Sequence, residues 1–131
     1  MKNASRVIVL TLLVCFLGSA MAQKPKWKLL GTRKVAFSTD RDVVHVGGDE
    51  GTFKALKFTV KKSGIHFKDM KVHFANGSVI DVKIRHRIPK GGETRILDLP
   101  GKNRIIKKVV FWYESNKKNK KRATVRLWGR K

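Results

Sequence analysis

The sequence predicts an all-β protein: one antiparallel β-sandwich, or a flattened barrel, of about eight strands. Three observations predict it. Apolar and polar residues alternate with a period of two, turn-forming dipeptides recur at hairpin spacing, and no window carries a capped apolar stripe of 3.6-residue period. With 131 residues, 41% hydrophobic and 31% charged, the chain can bury one core and has no room for two. Neither a multidomain enzyme nor a transmembrane bundle fits this length.

Residues 1–22 read as a signal peptide and are set aside. Lys2 and Arg6 form a basic start, Val7 to Leu17 is an apolar run, and Ala20-Met21-Ala22 is a small-x-small cleavage site. The run is shorter than the roughly 20 residues that span a bilayer. Cys15 sits in mid-run behind Val14, where lipidation expects a small residue, so a lipoprotein is disfavoured. Cleavage after Ala22 leaves a domain of residues 23–131, secreted or periplasmic. That domain keeps nearly all of the net charge of +22 and loses the single cysteine. It is therefore held by its core alone, with no thiol chemistry, cysteine metal site or redox function.

Gln23 to Lys26 forms a leader, and strands are expected at 27–36, 42–46, 53–61, 68–75, 79–88, 94–99, 104–114 and 122–129. Leu56, Phe58 and Val60 give the third strand its inward row. Met70, Val72 and Phe74 do the same in the fourth, alternating with Lys71 and His73. Asn76-Gly77 then accommodates the positive φ of a tight hairpin turn. The chain resumes with Ile80, Val82, Ile84 and Ile88 against Asp81, Lys83, Arg85 and Arg87. Ile105 to Tyr113 is β-branched and aromatic enough for a buried strand. The last strand sets Ala123, Val125 and Leu127 against Thr124, Arg126, Trp128 and Arg130. Gly47-Gly48, Ser63-Gly64, Lys90-Gly91-Gly92, Pro100-Gly101 and Ser115-Asn116 supply the remaining turns.

Between Lys28 and Arg130 the phrases KLLG, DRDVVHVGGDEGTFKALKF, VHFANG, GGETRILDLPGKNRIIKKVVFWY and ATVRLWGR carry a resemblance. The chain resembles a family of small secreted bacterial proteins, a domain of unknown function that includes the YaaI-like periplasmic proteins. The resemblance implies a secreted all-β domain and supplies no catalytic residues. Some members have a cysteine pair; the domain here has none, so a disulfide role does not transfer.

Charge is the most informative chemical feature. Residues 117–131 contain no acid and eight bases: Lys117, Lys118, Lys120, Lys121, Arg122, Arg126, Arg130 and Lys131. Lys117 to Arg122 are placed at a hairpin tip, where splayed ammonium groups gain affinity for a phosphate or sulfate polymer through counterion release. The alternative is a solubilising loop that keeps strands from pairing edge to edge. Trp128 shares a face with Arg126 and Arg130, so an indole between two guanidiniums can stack a base or sugar ring while the arginines hold anions. Lys83, Arg85 and Arg87 form a second basic row, which either continues this surface or faces away.

The remaining clusters point less far. Asp40, Asp42, Asp49 and Glu50 gather hard oxygens suited to calcium, without the ligand ladder of a known calcium loop. In so basic a chain, offsetting nearby bases or capping turns is the favoured account of them. His45, His66, His73 and His86 lack metal-ligand spacing, and none lies beside a nucleophile. His86, between Ile84 and Ile88, is expected to be a hydrogen-bonded core or sheet-end histidine. Glu93 or Asp98 joined to Asp40 or Asp42 is the pairing a small hydrolase would need. Arg95 is expected to form a structural ion pair. Gly91-Gly92 precedes a strand, not a helix, so it reads as a turn and not a phosphate cradle. Asn76-Gly77-Ser78 matches a glycosylation pattern and reads as the hairpin turn.

The functional expectation is a non-catalytic binding module, without cofactor or metal. It contacts an anionic polymer or envelope surface: lipopolysaccharide, a wall polymer, nucleic acid or an acidic protein. Its binding residues are Lys117, Lys118, Lys120, Lys121, Arg122, Arg126, Trp128 and Arg130. A structural or protein-interaction domain is the alternative, and a small hydrolase the lower one.

Overall fold

A computed structural model describes residues 26–35, 40–101, 104–115 and 121–131. Nine strands follow in order: β1 (Trp27–Lys34), β2 (Asp40–His45), β3 (Thr52–Phe53), β4 (Ala55–Lys61), β5 (Ile65–Phe74), β6 (Val79–Ile88), β7 (Leu97–Asp98), β8 (Arg104–Ser115) and β9 (Thr124–Arg130). One sheet has the order β1-β9-β4-β7 and the other β2-β8-β5-β6, with β3 also paired to β8. All named pairings are antiparallel. Two separate sheets packed face to face make this the sandwich rather than the barrel.

Alternation explains which side each residue faces. In β4, Leu56, Phe58 and Val60 are buried while Lys57 and Thr59 are partly exposed; in β9, Val125, Leu127 and Gly129 alternate with Arg126, Trp128 and Arg130. The centre of the core is aromatic and joins the two sheets. Phe58 of β4 stacks on Phe67 of β5 with ring centroids 4.9 Å apart and meets Phe111 of β8 at the same distance. Tyr113 extends the cluster, 5.7 Å from Phe111. Offset and tilted pairs of this kind add stabilisation beyond the area they bury.

Glycine matters where β9 is crowded by its neighbours. A Cβ on Gly129 would lie 2.6 Å from Phe53 Cδ1 and 2.9 Å from Leu30 Cδ1, so β9 needs a bare backbone there. The turn at Asn76-Gly77 forms as expected. Gly77 takes φ +90°, its N–H donates to Phe74 O, and the Ser78 N–H donates to Asn76 Oδ1.

Several boundaries differ from expectation for identifiable reasons. The expected strand 53–61 is two strands: Phe53 pairs with Arg104 in one sheet, and Ala55 begins β4 in the other, so the chain changes sheets at Lys54. The fourth strand starts at Ile65, three residues early, because Ile65 is buried and pairs with Ile88. The expected strand 94–99 contracts to Leu97–Asp98. Thr94 is held differently there: its N–H donates to Phe58 O and its Oγ1 accepts the Phe58 N–H at 3.0 Å.

Arg95 enters no ion pair among the described residues. Its guanidinium donates to the backbone oxygens of Ile84 (3.0 Å) and Lys83 (2.8 Å), spanning the open side of the sandwich and covering the β6 edge. His86 is exposed, so it is not the core histidine that alternation allowed. β6 is an edge strand, and it bulges between the Phe67 and Asp69 pairings, where Arg85 adopts φ 44°.

Candidate functional site

The outer face of the four-stranded sheet is built by β1, β9 and β4. Register sets its rows. Trp27 lies beside Arg130; Leu29, Trp128 and Lys57 form the next row, and Thr32, Arg126 and Thr59 the one after. β9 is central, so Arg126, Trp128 and Arg130 occupy the middle of the face rather than its rim.

Contacts hold the aromatic groups in place. The Trp128 indole N–H donates to Thr59 Oγ1 at 2.9 Å, which fixes the ring plane across two strands. Trp27 lies under two cations: Lys57 Nζ is 4.5 Å and Arg130 Cζ 5.2 Å from its ring centroid. Leu29 is 44% exposed, an apolar side chain left in the open beside Trp128. A groove of about 490 Å³ runs along Leu29, Thr59, Arg126 and Trp128 to Gly91, Gly92 and Glu93.

Charge on this face is poorly balanced. Glu93 reaches Lys57 Nζ at 3.4 Å. Arg126 and Arg130 enter no ion pair among the described residues. On the opposite sheet, around Trp112, more of the bases are paired, Lys71 with Asp81 (3.8 Å), Arg85 with Asp69 (3.9 Å) and Lys68 with Glu114 (3.3 Å), while Lys83 enters no ion pair among the described residues. The second basic row therefore lies on β6, in the other sheet, and does not extend the β9 surface.

Of the expected polyanion residues, Arg126, Trp128 and Arg130 share one face. Lys121 and Arg122 are exposed just ahead of β9. Lys117, Lys118 and Lys120 lie outside the described residues. Trp27, Leu29, Lys57 and Thr59 escaped sequence reading. Alternation marks them as outward, but nothing local reveals that β1 and β4 flank β9.

The acidic cluster does not converge on a cation. Asp42 accepts the hydroxyl of fully buried Tyr113 at 2.9 Å and lies 3.7 Å from Arg33 Nε, while Glu50 pairs with Lys28 and Asp40 accepts its neighbour's backbone N–H. No group of three histidine, cysteine or acidic side chains suited to a metal occurs among the described residues. The hydrolase pairing is not assembled either. Asp40 and Asp42 are on β2 at one edge of the sandwich, and Glu93 and Asp98 lie along β4 and β7 toward the other. His45 and His73 flank Lys108 in register on the outer face of the five-stranded sheet. Partial burial, then Lys108, Lys71, Lys107 and Arg41, hold His73 below its ordinary pKa of 6.5. No helix among the described residues is long and apolar enough to cross a membrane.

Fold and face together define a small β-sandwich domain with an exposed aromatic–basic sheet. The chain belongs to the family described as Domain of unknown function (DUF2541), whose model matches residues 7–129. Comparison with curated proteins gives no match. Two solved structures are similar at low identity. AlgX of Pseudomonas aeruginosa aligns over 83% of this chain and 26% of its own, with 14% identity and a TM-score of 0.52. The chain thus spans about a quarter of AlgX, and the likeness is one of fold. The SPBc2 prophage-derived protein YomS aligns over 85% of this chain and 98% of its own, with 15% identity and a TM-score of 0.48.

Proposed function

We propose that this protein is a secreted or periplasmic binding module that takes an anionic envelope polymer on the outer face of β1, β9 and β4. The observation that carries the reading is the central row of β9, where Arg126 and Arg130, without carboxylate partners among the described residues, flank a Trp128 held in plane by Thr59. An indole face contributes sequence-tolerant stacking to a ring, and the guanidiniums contribute charge-assisted bonds to its anionic groups. Export, read from residues 1–22, favours a wall or lipopolysaccharide polymer over nucleic acid. The narrower likeness to YaaI-like periplasmic proteins agrees with that compartment. The basic stretch Lys117–Arg122 adds long-range attraction in this scheme, while the sheet face supplies the specific contacts.

The test is affinity for lipopolysaccharide, a wall polymer, heparin and duplex DNA, followed by tryptophan fluorescence across a salt series. One polymer is expected to bind near 0.15 M salt, where exposed charges more than about 8 Å apart are largely screened. Trp128→Ala should weaken it about 5- to 150-fold, the equivalent of about 1–3 kcal/mol of stacking. Equal, weak and fully salt-sensitive binding to all four would contradict the reading and favour a structural or protein-interaction domain.

A further inference from the structure

The groove beside Trp128 does not end at Gly91. Lys61 and Gly91 also line a second groove of about 550 Å³, whose other lining residues are Lys62, Lys90 and Lys121. Its four lysines come from three separate stretches of chain: the end of β4 and the turn after it, the turn after β6, and the segment leading into β9. No carboxylate lines it, and none of the four lysines enters an ion pair among the described residues. Like charges gathered without counter-charge repel one another, and a bound anion relieves that repulsion.

We propose that Lys61, Lys62, Lys90 and Lys121 form a subsite for a phosphate monoester, set at the end of the aromatic groove. The inference deepens the proposed function, since it assigns the class of anionic group the polymer carries there. Charge favours phosphate over singly charged groups. A phosphate monoester carries a charge of about −1.5 to −2 at neutral pH, whereas a carboxylate or sulfate ester neutralises a single ammonium. All the charged side chains that line the groove among the described residues are lysines, whose ammonium groups act as point charges toward an oxyanion. Gly91, with φ +83°, turns the chain tightly enough to bring Lys90 to the end of β4, where the Gly91 N–H donates to Val60 O.

Lys62 makes the proposal separable from folding. It holds φ +73°, a conformation that favours glycine. Lys62→Gly therefore keeps or raises the melting temperature of the free protein while removing one ammonium of the cradle.

The experiment titrates purified protein with inorganic phosphate, with acetate at matched ionic strength, and with a phosphorylated and a purely uronate polysaccharide. Melting temperature and backbone amide NMR shifts are the readouts. Phosphate is expected to shift the amides of Gly91, Gly92 and Lys121 saturably. At ten times the half-saturating concentration it should raise the melting temperature by about 5 °C or more, and acetate should not. Lys62→Gly and Lys90→Ser should each weaken phosphate about 5-fold or more, and the phosphorylated polymer should bind more tightly than the uronate one.

Non-saturating shifts spread equally over Lys71 and Lys83 on the other sheet would overturn the subsite, as would full phosphate affinity in Lys62→Gly. The two readings fail separately. Polymer binding that needs Trp128 without any phosphate preference sinks only the subsite, and saturable phosphate binding without polymer binding sinks only the proposed function.

Discussion

Thr94 links a loop to the core, and its removal gives a prediction that can be worked from the structure. It is 4% exposed and takes the place of a strand neighbour for β4. Its Oγ1 accepts the Phe58 N–H at 3.0 Å and donates to Arg95 O at 2.9 Å, and Phe58 is the ring that joins the two sheets. Thr94→Val keeps the shape and deletes the acceptor. A buried N–H left unpaired costs about 1–3 kcal/mol, which the extra methyl offsets only in part. The melting temperature should fall by about 4–8 °C for each kcal/mol lost. The sharper readout is hydrogen exchange at the Phe58 amide, expected to accelerate about 5- to 150-fold. Thr94→Ser retains the oxygen and loses a methyl, so it should cost about 0.8 kcal/mol and leave that amide protected. Unchanged Phe58 exchange in Thr94→Val would refute the claim that this hydroxyl completes the edge of β4.

Three further outcomes are expected. Arg95→Ala uncovers Lys83 O and Ile84 O on the β6 edge; urea unfolding should show a loss of about 1 kcal/mol, modest because the site is partly solvated, and light scattering should show more self-association. Gly129→Ala drives a Cβ against Phe53 and Leu30, and the same unfolding assay should register about 1–3 kcal/mol of overpacking. For His73, the folded-state pKa lies below the unfolded value of 6.5, so the unfolded chain takes up the proton first as pH falls. Its effect on stability is absent above about pH 6.5 and grows as a loss toward the folded-state pKa. His73→Gln should flatten that part of the stability–pH curve, measured by urea midpoints between pH 7.5 and 5.

The sandwich was legible in the sequence because alternation is a local signal. The inward rows of Leu56, Phe58, Val60 and of Met70, Val72, Phe74 are buried as read, and Asn76-Gly77 turns where its chemistry requires. The errors arose where non-local geometry decides. His86 follows the alternation that would bury it, yet β6 lies at an edge and bulges beside it. The pairing of Arg95 with an acid failed because the residue it spans to is distant in sequence, on a strand edge whose carbonyls need covering. For the site, alternation found Arg126, Trp128 and Arg130. Trp27, Leu29, Lys57 and Thr59 needed the strand order β1-β9-β4, which no local pattern encodes. The lysine cradle was hidden for the same reason, since Lys62, Lys90 and Lys121 meet only when three stretches distant in sequence converge.

The central claim is that one sheet face, and not the total charge of +22, recognises the ligand. Two charge-matched variants test it most directly: Arg126→Ser with Arg130→Ser on the β9 face, and Lys71→Ser with Lys83→Ser on the opposite sheet. Each removes two positive charges, and affinity for the best-bound polymer is measured near 0.15 M salt. The account predicts a loss of about tenfold or more for the arginine pair and little change for the lysine pair. Equal losses in both would contradict it and reduce the basic surface to a nonspecific field.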